Sequence, residues 1–418
     1  MFLYIYHQKK FMKLRRHVVV CLVDYFNAGA FFIKLARSDG SRKYVFVTHL
    51  LSIYLKCREE SIKCYLISKY TRVPGDVFDV CDLHRTREIA GGILSLEEAS
   101  NMASAYMSKI NMISQSALST KLLIWNGQSI LGKVATALRK KGHVKTLFFE
   151  IANVPGKIFV DPEGVNYESQ LRRSLECRNG SSSFRSVCGF DEWKEDYVKY
   201  KENTNVVPQA VGKRLLHINH IQDYLYSKVF GYRFYSDRSF KNKLPQFLPN
   251  NLKEKYQCLK IHDELDLKAL MPFNFFPGQV HDDTQLLFNS DIGNVEAVSN
   301  ILESTNETLI VKPHPAGDER EFEVLSDYII SGRLILTSMN TLQLIKGSRS
   351  VYTINSTVGF ESLILGKETF FLGSSIYSLM SADALEWYVV KYLIDVDFFS
   401  NDSRIDFASI EEIFSRAD

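Results

Sequence analysis

Residues 308–373 constrain the fold of this chain more than any other stretch of its sequence. An apolar run at 308–312 leads into a histidine between two prolines, and a second apolar run at 350–354 leads into three polar residues. A helical pattern follows each run, and a further strand-like run lies at 368–372. Apolar strands that alternate with helices predict a parallel, doubly wound sheet. Ligands bind such sheets at the carboxyl ends of the strands, so both polar clusters are expected at one edge.

The polar residues after these runs suit a ligand that carries phosphate. Ser356 and Thr357 stand where a helix opens, and an opening helix offers unpaired N–H groups and a positive dipole end to an anion. Lys312 and His314 would add positive charge from the neighbouring strand. In the alternative interpretation, Thr357 only caps its helix and His314 is a surface loop residue. Glu361, one turn into the helix, either bonds sugar hydroxyls or complements the helix dipole.

Length and charge limit the classes of protein to which this chain can belong. With 418 residues it is long enough for two ordinary domains, and 45% hydrophobic and 24% charged residues are typical of globular proteins. A net charge of +3 is too small to argue for a nucleic-acid partner. The seven cysteines are an odd number without C-x-x-C spacing, which indicates reduced thiols in the cytosol rather than disulfides or a zinc site.

The hydropathy pattern argues against a membrane-spanning protein. No run of the sequence approaches the roughly eighteen apolar residues needed to span a bilayer, and the apolar segment at 1–6 is too short for a signal peptide. Five basic residues follow at 9–16, and this segment either rests on an anionic membrane surface or is a frayed extension. We expect a cytoplasmic protein, with peripheral contact at the inner membrane as the alternative.

The first part of the chain predicts a second α/β domain. Apolar runs separated by helical patterns lie at 17–24, 44–48, 63–67, 121–125 and 145–150. The loop at 125–128 opens a helix at the end of a strand, and it either faces a ligand or is only a turn. Two long helical patterns, at 191–202 and 217–230, then interrupt the alternation. We predict an α/β domain at 1–180, a helical insert with the interdomain connection at 181–267, a second α/β domain at 268–400 and a final helix at 401–418.

Four sequence blocks resemble those of a known family. Lys-Pro-His-Pro at 312–315, followed by Thr-Ile-Asn-Ser-Thr-Val-Gly-Phe-Glu-Ser-Leu-Ile-Leu-Gly-Lys at 353–367, resembles the bacterial capsule polysaccharide biosynthesis family, the retaining β-Kdo glycosyltransferases. The likeness extends back to the block at 277–285, and to Phe149-Glu150 with the turn at 160–166. Four blocks in the family's order are far more specific than any one of them.

The resemblance implies an α/β fold of the GT-B type, in which two Rossmann-like domains face a cleft. It also implies an enzyme that moves β-Kdo from the donor CMP-Kdo to a growing capsule or lipopolysaccharide glycan, or to a lipid-linked acceptor. CMP carries a single phosphate, so hydroxyls, a helix N-terminus and cationic side chains can stabilise it as a leaving group without a metal or another cofactor. Capsule assembly machinery would be a further partner.

The resemblance assigns donor binding to eight residues. These are Lys312, His314, Ser356, Thr357, Glu361 and Asn355 around CMP, with Gln279 and Asp283 bordering the sugar.

Retention of configuration at the anomeric carbon is most simply achieved by two inversions. This route needs one carboxylate to attack the carbon and one group to carry a proton. Asp161 is the favoured nucleophile because it follows a short strand beside a glycine turn, and Glu150, at its own strand end, is the favoured proton shuttle. Glu163 and the pair at 282–283 are the other candidates. The alternative is a solvated turn, which is the commonest fate of clustered carboxylates.

Acidic pairs elsewhere do not predict a metal site. Asp282-Asp283 lies in a loop where such a pair more often caps a helix. Asp395 and Asp397 have the spacing of a metal-binding pair in other sugar transferases, but they lie in an aromatic stretch far from the four blocks.

Two other functions remain open at this stage. A GT-B fold also serves sugar-nucleotide 2-epimerases, which would use the same crevice for a UDP-sugar. A non-catalytic capsule export or assembly protein would bind CMP without turnover, or would not bind it.

Overall fold

A computed structural model of the chain describes residues 17–72, 82–178, 188–203, 218–233, 260–280, 284–315, 317, 319–400 and 404–417. The chain divides into two compact units, and neither is continuous in sequence. The first unit comprises Met1–Gln170, Leu215–Leu248 and Leu393–Asp418. The second comprises Leu171–Arg214 and Pro249–Tyr392.

The described strands number thirteen. They are β1 (His17–Val23), β2 (Lys43–Thr48), β3 (Lys63–Leu66), β4 (Ser119–Trp125), β5 (Lys145–Ile151), β6 (Lys157–Asp161), β7 (Ile261–His262), β8 (Phe273–Pro277), β9 (Thr308–Lys312), β10 (Leu334–Thr337), β11 (Ser350–Thr353), β12 (Glu368–Phe371) and β13 (Ile394–Asp395).

The α-helices of the described residues are numbered separately. They are α1 (Phe26–Ser38), α2 (Leu51–Glu59), α3 (Arg87–Ala90), α4 (Leu96–Gln115), α5 (Ile130–Lys140), α6 (Gln170–Arg178), α7 (Phe190–Asn203), α8 (Ile218–Val229), α9 (Thr284–Asn289), α10 (Asn294–Ser304), α11 (Ser326–Ile330), α12 (Thr341–Gly347), α13 (Thr357–Ile364), α14 (Ala382–Trp387) and α15 (Phe407–Ser415). Short 3₁₀ helices lie at Leu83–Arg85, Asn166–Glu168, Glu319–Leu325 and Ile376–Leu379, and a π-helical turn at Tyr388–Tyr392.

The first unit is built on a seven-stranded sheet in the order β13-β6-β5-β4-β1-β2-β3. Strands β5, β4, β1, β2 and β3 are parallel, whereas β6 runs antiparallel to β5 and β13 antiparallel to β6. Helices cover both faces of such a sheet, which is why its central strands are continuous apolar runs. Trp125 and Phe149 stack in the core with ring centroids 6.1 Å apart, and Phe32 packs edge-on against both.

The second unit is built on a six-stranded sheet in the order β12-β11-β8-β9-β10-β7, with every pair parallel. From β8 the chain proceeds outward to β9 and β10, and then returns to the other side for β11 and β12. The order therefore reverses between β8 and β11, and a ligand crevice is expected at such a reversal, at the carboxyl ends of the strands. The first unit has the same reversal between β1 and β4.

These sheets confirm the prediction of an α/β protein with two Rossmann-like domains, as in the GT-B type. Two local expectations were wrong. The helix expected after the histidine at 314 begins as the 3₁₀ helix Glu319–Leu325 and becomes α-helical only at α11. The second α/β domain was expected to extend to residue 400, but the second unit ends at Tyr392, and the following strand β13 joins the sheet of the first unit.

The described helices also bear on membrane insertion. Within the part of the chain that the structure describes, no helix combines the length and the apolar character needed to cross a bilayer.

Candidate functional site

Two buried side-chain amides meet at the reversal point of the second unit's sheet, where a ligand crevice is expected. Gln279 follows β8 and Asn355 follows β11, and the two pair in both directions. Gln279 Nε2 donates to Asn355 Oδ1 at 2.9 Å, and the Asn355 backbone N–H donates to Gln279 Oε1 at 3.2 Å. Both residues are buried. The structure thus brings together two residues that the sequence predicts at the donor site.

The position of Gln279 is set by the first residue of α10. Asn294, which is fully buried, accepts from the Gln279 backbone N–H at 3.0 Å and donates to the Gln279 carbonyl at 2.7 Å. Its amide also donates to Glu321 Oε1 at 2.9 Å. The preceding residue, Gly278, donates to the Lys312 carbonyl at 2.9 Å, so the loops after β8 and β9 lie against each other.

Helix α13 begins at this crevice. Ser356 is its N-cap, and its hydroxyl accepts from the Val358 N–H at 3.2 Å, while Thr357 is exposed on the first turn. The helix lies close to the sheet because Gly359 has no side chain: a Cβ there would stand 2.5 Å from the Phe371 ring. The capping and anion-binding interpretations of this turn are therefore compatible, since Ser356 caps while Thr357 stays accessible.

Lys312, the last residue of β9, is half-buried beside this helix. Its ammonium donates to the Thr341 hydroxyl at 3.0 Å, on the first residue of α12. Burial lowers the pKa of Lys312, and the nearby Glu361 carboxylate opposes that shift. His314 is exposed two residues later, in a turn that its carbonyl closes with the Gly317 N–H at 2.8 Å. Asp283 lies outside the described residues.

Glu361 is held by a helix that the sequence does not connect with it. The Lys201 ammonium lies 2.6 Å from Glu361 Oε1, and the Tyr197 hydroxyl donates to the same oxygen at 3.3 Å. Both partners come from α7, and burial followed by the Glu361 charge raises the pKa of Tyr197. Helix α7 is also tied by an ion pair between Glu202 and Lys346. The charged and aromatic pattern at 191–202 is the only sequence signal of this arrangement.

A second polar group lies at the carboxyl edge of the first unit's sheet. Glu150, near the end of β5, accepts from Asn126 Nδ2 at 3.0 Å and from the Ile151 N–H at 3.1 Å. Asn126 follows β4 in a left-handed conformation (φ 53°), which asparagine tolerates better than most residues. Gly132 permits this loop, because a Cβ there would stand 2.1 Å from the Gly127 carbonyl oxygen.

Asp161 lies further from the carboxyl edge than Glu150, beside the middle of β5. Because β6 is antiparallel to β5, Asp161 pairs with Phe148 while Glu150 pairs with Phe159. Asp161 Oδ1 accepts from the N–H groups of Glu163 at 2.8 Å, Gly164 at 3.3 Å and Gln170 at 2.9 Å. The side chain is buried, and these bonds hold the turn after β6. The end of β6 is therefore not level with the end of β5, although Asp161 and Glu150 remain diagonal neighbours on one face of the sheet.

A buried charge cluster at the carboxyl edge has no counterpart in the sequence prediction. Arg87 on α3 lies 2.8 Å from Asp24 Oδ2, beyond β1, and 3.4 Å from Glu88 Oε1. Burial alone would lower the pKa of Arg87, but the two carboxylates raise it above its usual value. Glu88 Oε2 also accepts from the Ile130 N–H at 3.1 Å, at the start of α5. Asp24 lies far from Arg87 and Glu88 in the sequence and meets them only in the folded chain. No sequence motif therefore predicted the cluster.

The cluster borders a buried histidine and a buried side-chain amide. Burial lowers the pKa of His49 to about 4, and its Nδ1 lies 3.0 Å from the Tyr106 hydroxyl. Gln128 follows β4 and is buried, and neither its Nε2 nor its Oε1 has a hydrogen-bond partner among the residues that the structure describes. Burying an amide without hydrogen bonds costs free energy. The buried charges and this amide together therefore make the carboxyl edge of the first unit a candidate ligand-binding site.

A cavity of about 1040 Å³ lies elsewhere, at the amino ends of β1, β2, β4 and β5. His17, Lys43, Lys121 and Lys145 line it. The carboxyl edge, where Gln128 and Glu150 lie, is at the other end of the same strands. The cavity is thus separate from the carboxyl-edge site.

No group of three or more histidine, cysteine, aspartate or glutamate side chains is arranged to hold a metal ion among the described residues.

The sequence profile of a family described as "Capsule polysaccharide biosynthesis protein" matches residues 120–381, more than half of the chain. The chain belongs to the capsule polysaccharide biosynthesis family. The matched range contains Glu150, Asp161 and the donor-site residues of the second unit. A curated relative, Protein FixF of Sinorhizobium fredii (strain NBRC 101917 / NGR234), is 36% identical over 114 residues, which are 26% of this chain. The match spans only 28% of the length of that relative.

Solved structures similar to this capsule biosynthesis protein include two from Thermosulfurimonas dismutans KpsC. Its β-Kdo 2,7 transferase is 16% identical, with a TM-score of 0.39, and the match covers 73% of this chain and 87% of that one. Its β-Kdo 2,4 transferase is 15% identical, with a TM-score of 0.38, over 71% and 87%. MnaA of S. aureus, solved with UDP, is 12% identical, with a TM-score of 0.27, over 95% of each chain.

Proposed function

We propose that this capsule biosynthesis protein is a retaining glycosyltransferase. It moves β-Kdo from CMP-Kdo to a growing capsule or lipopolysaccharide glycan, or to a lipid-linked acceptor, by double displacement through a carboxylate adduct. The observation that carries the proposal is the pairing of Gln279 with Asn355 beside the start of α13, at the reversal point of a parallel sheet, with Lys312 at the end of the adjacent strand β9. The four blocks that resemble the Kdo transferases support the identity of the donor.

The crevice suits a leaving group with one phosphate. Lys312 supplies a positive charge whose hydration is already reduced by burial, so its attraction to a phosphate is stronger than that of an exposed lysine. The first turn of α13 adds N–H groups and the exposed Thr357 hydroxyl. Together with His314, these groups would offset the charge that develops on CMP as it departs, without a metal.

Glu150 is the carboxylate that we propose for the catalytic step. It lies at the carboxyl edge, where ligands bind in Rossmann-like sheets, and its two hydrogen bonds hold it in one orientation. In double displacement a carboxylate oxygen bonds to the anomeric carbon while CMP leaves with the bonding electrons. The acceptor hydroxyl then loses its proton to a base and displaces the carboxylate. Asp161 remains the competing candidate, because the sequence favours it.

The test is incubation with CMP-Kdo generated in situ and a Kdo-terminated or lipid acceptor. Mass spectrometry should show an acceptor heavier by one Kdo, with the β configuration, and the reaction should persist in excess chelator once donor synthesis is complete. A trapped adduct should map to the peptide that contains Glu150. Absence of transfer, or C2 proton exchange on UDP-sugars instead, would show that the proposal is wrong.

A binding experiment isolates the donor site. The triple variant Ser356→Ala, Thr357→Ala and His314→Ala should bind CMP at least tenfold more weakly by calorimetry, since two hydroxyls and one cation leave the crevice. Its melting temperature should fall only modestly, because Ser356→Ala removes an N-cap worth about 1 kcal/mol while none of the three side chains lies in a core. Full-strength CMP binding by the triple variant would contradict the site assignment.

A further inference from the structure

Helix α8 presents its apolar residues outward and its polar residues inward. Ile221, Leu225 and Val229 are 46%, 62% and 57% exposed, and their spacing of four residues places them on one face. Asp223 and Ser227 are each only 2% exposed, on the opposite face. This is the reverse of the pattern that a helix on the surface of a globular protein normally shows.

The inward polar face has a structural cause. Asp223 Oδ1 accepts from the Ser52 backbone N–H at 2.7 Å, and its Oδ2 accepts from the Ser52 hydroxyl at 2.5 Å. Ser52 lies in the first turn of α2, so the carboxylate satisfies an unpaired N–H and faces the positive end of that helix. The orientation of α8 is therefore fixed by a buried polar contact, and the outward apolar stripe follows from it.

The stripe continues beyond the helix. Phe230, the next residue, is 52% exposed, and its carbonyl accepts from the Lys69 N–H at 2.9 Å. That bond brings the loop after β3 alongside, with Tyr70 73% exposed. Four apolar side chains and one tyrosine thus form a surface that we name the α8 patch, made of Ile221, Leu225, Val229, Phe230 and Tyr70.

The charged residues around the α8 patch indicate which kind of partner it binds. Lys69 and Arg72 flank it on the loop, and Lys228 flanks it on the helix, and all three are exposed. Among the described side chains of α8 that are exposed, Lys228 is the one that carries a charge. An outward apolar stripe with an aromatic edge and flanking cations is the pattern of helices that lie in the interface of an anionic bilayer.

We propose that the α8 patch docks the protein on an anionic lipid surface. The apolar side chains enter the boundary between headgroups and acyl chains, Tyr70 lies at the headgroup level, and the three cations contact lipid phosphates. The patch belongs to the first unit and does not depend on the proposed transferase activity.

The test is co-sedimentation of the full-length protein with vesicles of phosphatidylcholine and phosphatidylglycerol. Leu225→Ser should weaken binding about tenfold, because it removes one large apolar side chain from the membrane, and Val229→Ser should act in the same direction. Leu118→Ser is the matched control, since Leu118 is 61% exposed beside β4 in the same unit, and it should bind like the parent protein. Circular dichroism should show all three variants folded.

Lysine substitutions and vesicles of different charge test the electrostatic contribution to membrane binding. Lys228→Gln and Lys69→Gln should each weaken binding to the anionic vesicles by about fivefold, and binding to phosphatidylcholine alone should be weak. The proposal is overturned if the parent protein does not sediment with anionic vesicles, or if Leu225→Ser binds as well as Leu118→Ser. It is also overturned if light scattering shows a dimer that Leu225→Ser converts to a monomer, because the patch would then join two copies.

Discussion

At the scale of single residues, the position of a carboxylate depends on the direction of the strand that carries it. Glu150 and Asp161 both end a strand, but β5 and β6 run in opposite directions, so the two ends are not level. Asp161 holds three backbone N–H groups, which is a structural task that a nucleophile would have to abandon.

Substitution of Asp161 separates the two roles. Asp161→Ala should lower the free energy of unfolding by about 3 kcal/mol or more, because three N–H groups lose their buried acceptor. Asp161→Asn keeps an acceptor oxygen and should lose less. Chemical denaturation and the transfer assay together decide the matter: if Asp161→Asn keeps full stability and loses all turnover, then Asp161 is catalytic and Glu150 is not the nucleophile.

If Lys312 binds the phosphate of CMP as proposed, CMP binding should depend on pH. Because burial lowers its pKa below the usual 10.5, its charge is lost at a lower pH than that of an exposed lysine. CMP affinity should therefore fall as pH rises through this lowered pKa. Glu361→Gln removes a charge that raises the pKa, so the fall should move to lower pH. Calorimetry across the alkaline range checks both, and Lys312→Met, which has no charge to lose, should bind weakly without this dependence.

At the scale of secondary-structure elements, the start of α13 is positioned by close packing rather than by its cap alone. A Cβ on Gly359 would stand 2.5 Å from the Phe371 ring and 2.8 Å from Thr353 Cγ2. Helix α13 would then have to move away from β11 and β12, which carry those neighbours. Lys201 and Tyr197 act on the same helix from α7, through Glu361.

Gly359→Ala should therefore destabilise the protein by about 1–3 kcal/mol and weaken CMP binding, since the helix start shifts. Gly40→Ala is the control, because a Cβ at Gly40 meets nothing within 4 Å. Thermal unfolding and CMP calorimetry on the two variants give the comparison. Equal stability and equal affinity in both would show that the close approach of α13 to the sheet is unimportant.

At the scale of the whole molecule, the chain returns to its first unit at its end. Residues after 392 add β13 to the edge of the first sheet and bring α15 against its core. Phe414 on α15 is buried, and the Arg42 guanidinium lies 4.2 Å from the centre of its ring. Phe398 packs on Trp125, with centroids 4.5 Å apart.

Phe414→Ala should accordingly loosen the first unit rather than the second, at a cost of about 3–5 kcal/mol. Hydrogen exchange read by mass spectrometry should show faster exchange in peptides of β1 and β2, and little change in peptides of β8 and β9. Phe407→Ala is the control on the same helix, since Phe407 is 70% exposed. Loss of protection confined to the second unit would contradict the assignment of the C-terminal segment.

The sequence by itself determined the class of fold, whereas its assignment of a donor site stays a prediction. Strand and helix periods are local, so the alternation of elements predicted both Rossmann-like units. Gln279 and Asn355 were assigned through the resemblance to a known family, and the structure places both after parallel strands, whose carboxyl ends share an edge.

Only the tertiary structure decided the contacts that join distant parts of the chain. Three features depend on contacts between different parts of the chain. They are the antiparallel direction of β6, the ion pair between Glu361 and Lys201, and the burial of Arg87 beside Asp24 and Glu88. The outward apolar face of α8 depends likewise on the bond between Asp223 and Ser52. Periodicity shows that a helix or strand has an apolar and a polar face. Which face is buried depends on the free energy of its contacts with the neighbouring element.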